Sequence, residues 1–205
     1  MQRPWFGNGP LDQADFNRGD MPWTPIGPSA LPIIEGWPVP HELSETEIYA
    51  LIDDYASAAR RAVAAGYKVA EIHGAHGYLI HSFLFPISNQ RSDRYGGDLS
   101  GRMRLALEVA QIARATWPSD LPLFFRTSAV DGLPEGWSLD DTIVLAQELK
   151  QIRVDVIDCS FGGITVAAMA NGGQKRQPGF QVGYAERVHN EADIMTMAVG
   201  LITHP

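Results

Sequence analysis

The sequence predicts an α/β domain built around a parallel sheet, and three observations carry that prediction. Short apolar runs alternate with amphipathic segments several helical turns long, the pattern of strand–helix–strand crossovers. The alternation persists from Ser44 almost to Pro205. The polar residues suited to chemistry fall where strands are expected to end, the edge at which parallel α/β sheets bind ligands.

Residues 1 to about 43 stand outside this pattern. Pro4, Pro10, Pro22, Pro25, Pro28, Pro32, Pro38 and Pro40 oppose continuous helix or central strand, so a long irregular lead-in is expected there. Regular structure begins at Ser44, which with Glu47 forms a capping-box signature. Ile48, Leu51, Ile52, Tyr55, Ala59 and Ala62 follow at helical spacing, and Gly66 supplies a stop. Val69 to Ile72 reads as a buried strand. A helix follows from about Gly101 to Thr116, with Leu105, Val109 and Ile112 on one face and Pro118 beyond its end. Leu123 to Thr127 is the next strand. Ser138 and Asp141 open a helix through Lys150, and Val154 to Cys159 alternates apolar and polar residues as a strand does. Residues 161 to 181 are glycine-rich and read as a loop, Val182 to about Asn190 as a helix, and Thr196 to Ile202 as a last strand.

The 205 residues, 45% of them hydrophobic, suffice for one well-buried domain. No apolar run approaches the ~20 residues of a membrane helix, and the start at Met1 lacks a signal-peptide pattern, so a cytoplasmic location and no membrane partner are expected. A net charge of -8 argues against nucleic acid as a partner. The single cysteine, Cys159, excludes an internal disulfide and a zinc site of several thiolates. Arg91, Arg94, Arg102 and Arg104, interleaved with Asp93 and Asp98, read as a solvated face.

The segment from Glu71 to Tyr78 concentrates the chemistry. His73 and His76 adjoin Gly74 and Gly77 at a strand exit, where neutral or charged imidazole can hold an anionic or carbonyl oxygen while Tyr78 offers a proton. A metal site would need a third ligand such as His81 or Glu71, and no motif supports one, so no metal is expected. Structural hydrogen bonding of the histidines is the alternative. Arg126 lies in an otherwise apolar strand, where burial demands an internal carboxylate or an electron-rich cofactor ring. Ser160, before Gly162 and Gly163, lacks a nucleophile elbow, and Cys159 reads as a small core residue. Asn89 suits a role in fixing the turn from Arg91 to Gly97 through side-chain to backbone hydrogen bonds.

Together, His73, Gly74, His76, Gly77, Tyr78, Phe83, Pro86, Asn89, Arg91, Asp93 and the Tyr95–Gly97 run closely resemble the old yellow enzyme family, the NADH:flavin oxidoreductases. The runs 126–129, 154–160, 178–181 and 198–202 extend the resemblance, particularly to its thermophilic-like and xenobiotic-reductase branch. The resemblance implies a (β/α)8 TIM barrel that binds FMN, takes reducing equivalents from NADH or NADPH, and reduces an activated alkene such as an α,β-unsaturated carbonyl compound. His73 and His76 would hold the substrate oxygen, and Tyr78 would protonate the α-carbon. Arg126 would face the flavin's pyrimidine edge, Gly200 would give a backbone contact to the FMN phosphate, and Ser160 and Gln181 would support the cofactor pocket.

Against that pattern, three early βα units and an eighth strand are absent. The expectation is a partial barrel holding about strands 4 to 7 over residues 44–205, after a lead-in over 1–43 that corresponds to the loop following a missing third strand. Arg153 stands where the family has a helix-ending glycine, and Phe85 replaces a small residue before Pro86. A fragment of this kind is expected to bind FMN weakly or not at all. The alternative is a catalytically silent half-barrel that self-associates into a homo-oligomer or complements a missing half, because open sheet edges favour pairing.

Overall fold

The computed structural model of the chain describes residues 11–33, 35–164 and 177–203. The lead-in contains a short helix, α1 (Gln13–Asn17), and two two-residue strands, β1 (Ile26–Gly27) and β2 (His41–Glu42), which pair in parallel. The main body runs α2 (Glu45–Ala64), β3 (Ala70–Gly74), α3 (Leu79–Leu84), α4 (Leu99–Thr116), β4 (Leu123–Ser128), α5 (Leu139–Gln151), β5 (Val156–Ser160), α6 (Val182–Ala192) and β6 (Met195–Ala198). Of the glycine-rich stretch expected at 161–181, residues 165–176 lie outside the described residues.

The sheet decides the architecture. Its strands lie in the order β3, β4, β5, β6, all parallel, so each crossover advances to the next position without reversing. A doubly wound sheet reverses direction at a switch point, whereas a barrel winds one way. The helices follow the same progression, α2 packing on α4, α4 on α5 and α5 on α6. This is an arc of a (β/α)8 barrel, as the resemblance implies.

Strand alternation sorts the side chains between two faces. Ile72, Phe125 and Ile157 share one register row and face the helices, where they are buried with Val109, Leu145 and Val188. Truncating a fully buried ring such as Phe125 to alanine costs about 3–5 kcal/mol. The opposite, inner face carries His73, Arg126, Asp158 and Met197 in one row. Part of it is open, with His73 exposed and Met195 and Met197 61% and 37% accessible.

Local chemistry sets the element ends. Ser44 and Glu47 cap α2 reciprocally, and Ser138 and Asp141 do the same for α5. Helix α4 starts at Leu99 rather than Gly101, because the Asp98 carboxylate accepts from the Gly101 N–H at 2.8 Å and draws Gly101 into the first turn. Strand β3 extends to Gly74, so His73 belongs to the strand. Strand β6 ends at Ala198 rather than Ile202, since Gly200 and Leu201 take φ of 106° and 54°, incompatible with an extended ladder. Helix α6 continues to Ala192, where Asp193 enters the left-handed region at φ 50°. Helix α3 was not anticipated, being less than two turns long and closed by Pro86.

Arg153 occupies a glycine position in geometry as well as in sequence. Its φ is 68°, and its N–H donates to the Lys150 carbonyl at 2.9 Å while Val154 N–H reaches Leu149 at 3.1 Å, the paired bonds of a Schellman helix end.

The solvated basic face is corrected at Arg91, which is buried. Its Nη1 donates to the carbonyls of Pro28 at 2.9 Å and Leu43 at 2.6 Å, while Nε and Nη2 engage the Asp93 carboxylate. The guanidinium fork ties the lead-in to the barrel, a task that five fixed donors suit. Asn89 holds the same turn, its Nδ2 donating to Phe83 O at 2.7 Å and Tyr95 O at 2.8 Å.

Candidate active site

The carboxyl end of β3 brings the histidines together. The His73 ring lies 5.3 Å from that of His76 and 5.3 Å from that of Tyr78, centroid to centroid. His76 achieves this from a left-handed backbone at φ 59°, a strained conformation for a residue with a Cβ. Two bonds hold it there. Its backbone N–H donates to Ser128 Oγ at 3.0 Å, and Ser128 in turn donates to Gly162 O at 2.6 Å. Its Nε2 lies 2.7 Å from Ser160 Oγ, 84 positions later in the chain.

Burial and the Arg126 cation lower the pKa of His73, and the same causes together with His73 bring His76 down to about 4. Both imidazoles are therefore neutral near pH 7, each with one N–H to give. When Ser160 donates to Nε2 of His76, the ring proton sits on Nδ1. His81, in α3, is fully buried and accepts from the Gly77 N–H at 2.8 Å through Nδ1, which places its own proton on Nε2. Among the described residues no group of three or more His, Cys, Asp or Glu side chains is arranged to hold a metal ion.

Arg126 pairs in register with His73 on one side and Asp158 on the other. Its Nε lies 3.3 Å from Asp158 Oδ2, the Asp158 side chain being 1% exposed and that of Arg126 30%. Burial raises the pKa of Asp158 and the arginine opposes that rise. An internal carboxylate thus partners Arg126, while its guanidinium keeps an accessible portion on the inner face. Asp158 and Ser128 carry parts of the site that the sequence had not singled out. Their signal was positional, a polar side chain at alternate strand positions near the carboxyl end.

The remaining candidates meet at the loop before α6. Gly200, at φ 106°, sits against Phe180 and Gln181, where a Cβ would come within 3.0 Å of the Phe180 ring and 3.2 Å of Gln181 Cγ. Gly179 N–H donates to Gly200 O at 2.9 Å, tying the two loops. Gln181 is buried, and its Oε1 has no hydrogen-bond partner among the described residues. These features fit a planar, amide-bearing ring system with a phosphate tail: an orphaned acceptor for a ring N–H, a fixed cation, and a backbone close approach that excludes side chains. Cys159 is fully buried, with its thiol pushed up to about 12 by burial, and is inert.

Sequence comparison decides the family, with residues 7–205 matching the NADH:flavin oxidoreductase / NADH oxidase family. The chain belongs to that family. It is 44% identical over 178 residues to an NADPH dehydrogenase of Geobacillus sp. strain WCH70, covering 87% of this chain and 50% of that protein. It is 42% identical over 178 residues to an NADPH dehydrogenase of Bacillus subtilis strain 168, covering 87% and 51%. Among solved structures, histamine dehydrogenase from Rhizobium sp. 4-9 superposes with a TM-score of 0.75 at 27% identity, over 89% of this chain and 27% of that one. Morphinone reductase in complex with tetrahydroNAD gives 0.67 at 23% identity, over 85% and 48%. The chain spans about half the length of the curated relatives it matches. Family membership implies FMN and a reduced nicotinamide as cofactors, and no described helix is long and apolar enough to cross a membrane.

Proposed function

We propose that this chain supplies the oxygen clamp and part of the flavin pocket of an FMN-dependent ene-reductase acting on α,β-unsaturated carbonyl or related compounds. One observation carries the reading. Two neutral imidazoles stand 5.3 Å apart at the carboxyl end of β3, with the Arg126 cation in the adjacent register position.

FMN, when bound, supplies a hydride that originates from NADH or NADPH. His73 and His76 donate to the substrate's carbonyl oxygen, so that charge gathering there as the β-carbon accepts hydride meets fixed donors. Ser160, bonded to Nε2 of His76, positions the ring so that Nδ1–H remains to donate. Tyr78 gives a proton to the α-carbon, completing net addition of hydride and proton across the double bond. Arg126, held by Asp158, would present positive charge to the flavin ring, Gln181 would accept from a ring N–H, and the Gly200 backbone would leave room for the phosphate.

A second reading has its own support. The partly open inner face, with Met195 and Met197 exposed, suits a half-barrel that associates with a second copy and is catalytically silent.

Binding of cyclohexenone labelled with carbon-13 at the carbonyl tests the clamp without cofactor. A downfield carbonyl shift that disappears in His73→Ala/His76→Ala is expected, and a shift indifferent to both substitutions rejects the clamp. FMN titration followed by flavin fluorescence should give weak or no saturation for the isolated chain. Saturable micromolar binding with cyclohexenone turnover would overturn that expectation, and a stable monomer by light scattering would remove the second reading.

A further inference from the structure

A cavity of about 320 Å³ lies outside the histidine pair, on the other side of Tyr78. Trp23, Ile26, Leu31 and Trp37 of the lead-in form one wall, and Tyr78 and Ile164 form the other. Among the described residues, no charged side chain lines it. Its serines are already committed: Ser82 Oγ donates to Leu79 O at 2.6 Å, Ser88 Oγ to Ser82 O at 2.7 Å, and Ser29 Oγ accepts from Gln90 N–H at 2.9 Å. The Tyr78 ring is half exposed, and its hydroxyl makes no hydrogen bond to the described residues. Several large apolar side chains otherwise open to solvent, Trp23, Ile26 and Leu31 at 44–47%, converge on this one hollow.

We infer that this cavity is a binding site for an uncharged, two-ring apolar group, carried by a ligand whose carbonyl reaches past Tyr78 to His73. The size argues for two rings, since an apolar cavity of about 150 Å³ accommodates one benzene. Aromatic walls supply large contact area and preferred ring-on-ring geometries. The absence of charge among the described lining residues, with the Ser82 and Ser88 hydroxyl protons already given to backbone carbonyls, selects against carboxylate and phosphate, whose desolvation is poorly offset here. Tyr78 links the cavity to the clamp, its ring 5.3 Å from that of His73. The carbonyl end of the ligand rests on the clamp reading, whereas the ring site does not.

The probe is 2-naphthaldehyde, with 2-naphthoate as its charged counterpart, added to the methyl-labelled full chain and followed by NMR. The aldehyde should shift the methyls of Ile26, Leu31, Ile33 and Ile164 saturably, and the naphthoate should bind at least about tenfold more weakly. Leu31→Trp, which fills the hollow from an exposed position, should weaken the aldehyde by about tenfold or more. Should that variant unfold, Trp37→Ala removes an aromatic part of the lead-in wall and is read the same way. His73→Ala keeps the methyl shifts; loss of the aldehyde carbon's shift there supports the full proposal, and an unaltered carbon shift refutes only its clamp end. Shifts elsewhere, equal binding of naphthoate, or unchanged affinity in the folded variants overturns the site.

Discussion

Nε2 of His76, in the turn after β3, and Oγ of Ser160, the last residue of β5, lie 2.7 Å apart. The contact joins the turn after β3 to the end of β5 across β4, and it selects which ring nitrogen of His76 is left to act. Ser160→Ala removes one partly buried hydrogen bond and should cost about 1 kcal/mol in urea unfolding. In an NMR titration the same variant should lose the preference for protonated Nδ1 on His76, read from its nitrogen-15 shifts. A cost near zero with unchanged shifts would show that the contact does not orient the ring.

The Arg126–Asp158 pair should respond asymmetrically. Asp158 is almost fully buried while Arg126 keeps a route to water. Arg126→Ala strands a buried carboxylate and should destabilise by roughly 3 kcal/mol, whereas Asp158→Asn leaves an arginine that water can still reach and should cost about half as much. Urea unfolding of both variants checks the order, and the reverse ranking refutes the assignment.

Stability should fall on mild acidification. The folded chain holds His76 at about 4 and His81 at about 3, both below the ordinary histidine value of about 6.5. The unfolded chain therefore binds protons that the native chain refuses, so stability is fully present above about pH 6.5 and is lost as pH falls toward the folded values. His81→Gln retains an acceptor for Gly77 N–H without a titrating ring. The drop in Tm between pH 7 and 5 should be visibly smaller in this variant than in the parent.

Arg91 should matter more than its place in a polar turn suggests. Arg91→Ala leaves the carbonyls of Pro28 and Leu43 without their donor and should destabilise by about 3 kcal/mol. Limited proteolysis should cut within residues 11–43 faster than in the parent. Arg91→Lys, with a point charge in place of the fork, should recover only part of the loss.

Arg153→Gly should stabilise the chain. The left-handed conformation costs a residue with a Cβ about 1–2 kcal/mol, and the added freedom of glycine in the unfolded chain returns about 0.4–1 kcal/mol, leaving a net gain of about 0.5–1 kcal/mol. Thermal unfolding reads this directly, and a destabilised variant would show that the Arg153 side chain contributes contacts beyond its backbone.

Sequence periodicity and capping signals determined much of this protein alone. The helices after Ser44 and Ser138 follow from reciprocal Ser–Glu and Ser–Asp caps, the strands around Ile72 and Phe125 from short apolar runs and that around Ile157 from apolar–polar alternation, because all depend on residues within a few positions of one another. The His73, His76 and Tyr78 cluster was legible for the same reason, being confined to six residues. Tertiary structure alone decided the long-range partners: Asp158 for Arg126, Ser160 and Ser128 for His76, and the lead-in carbonyls for Arg91. It also decided that the Pro-rich lead-in walls a cavity beside Tyr78. No local pattern encodes these contacts, since each arises when parallel strands far apart in sequence bring their ends to the same edge of the sheet.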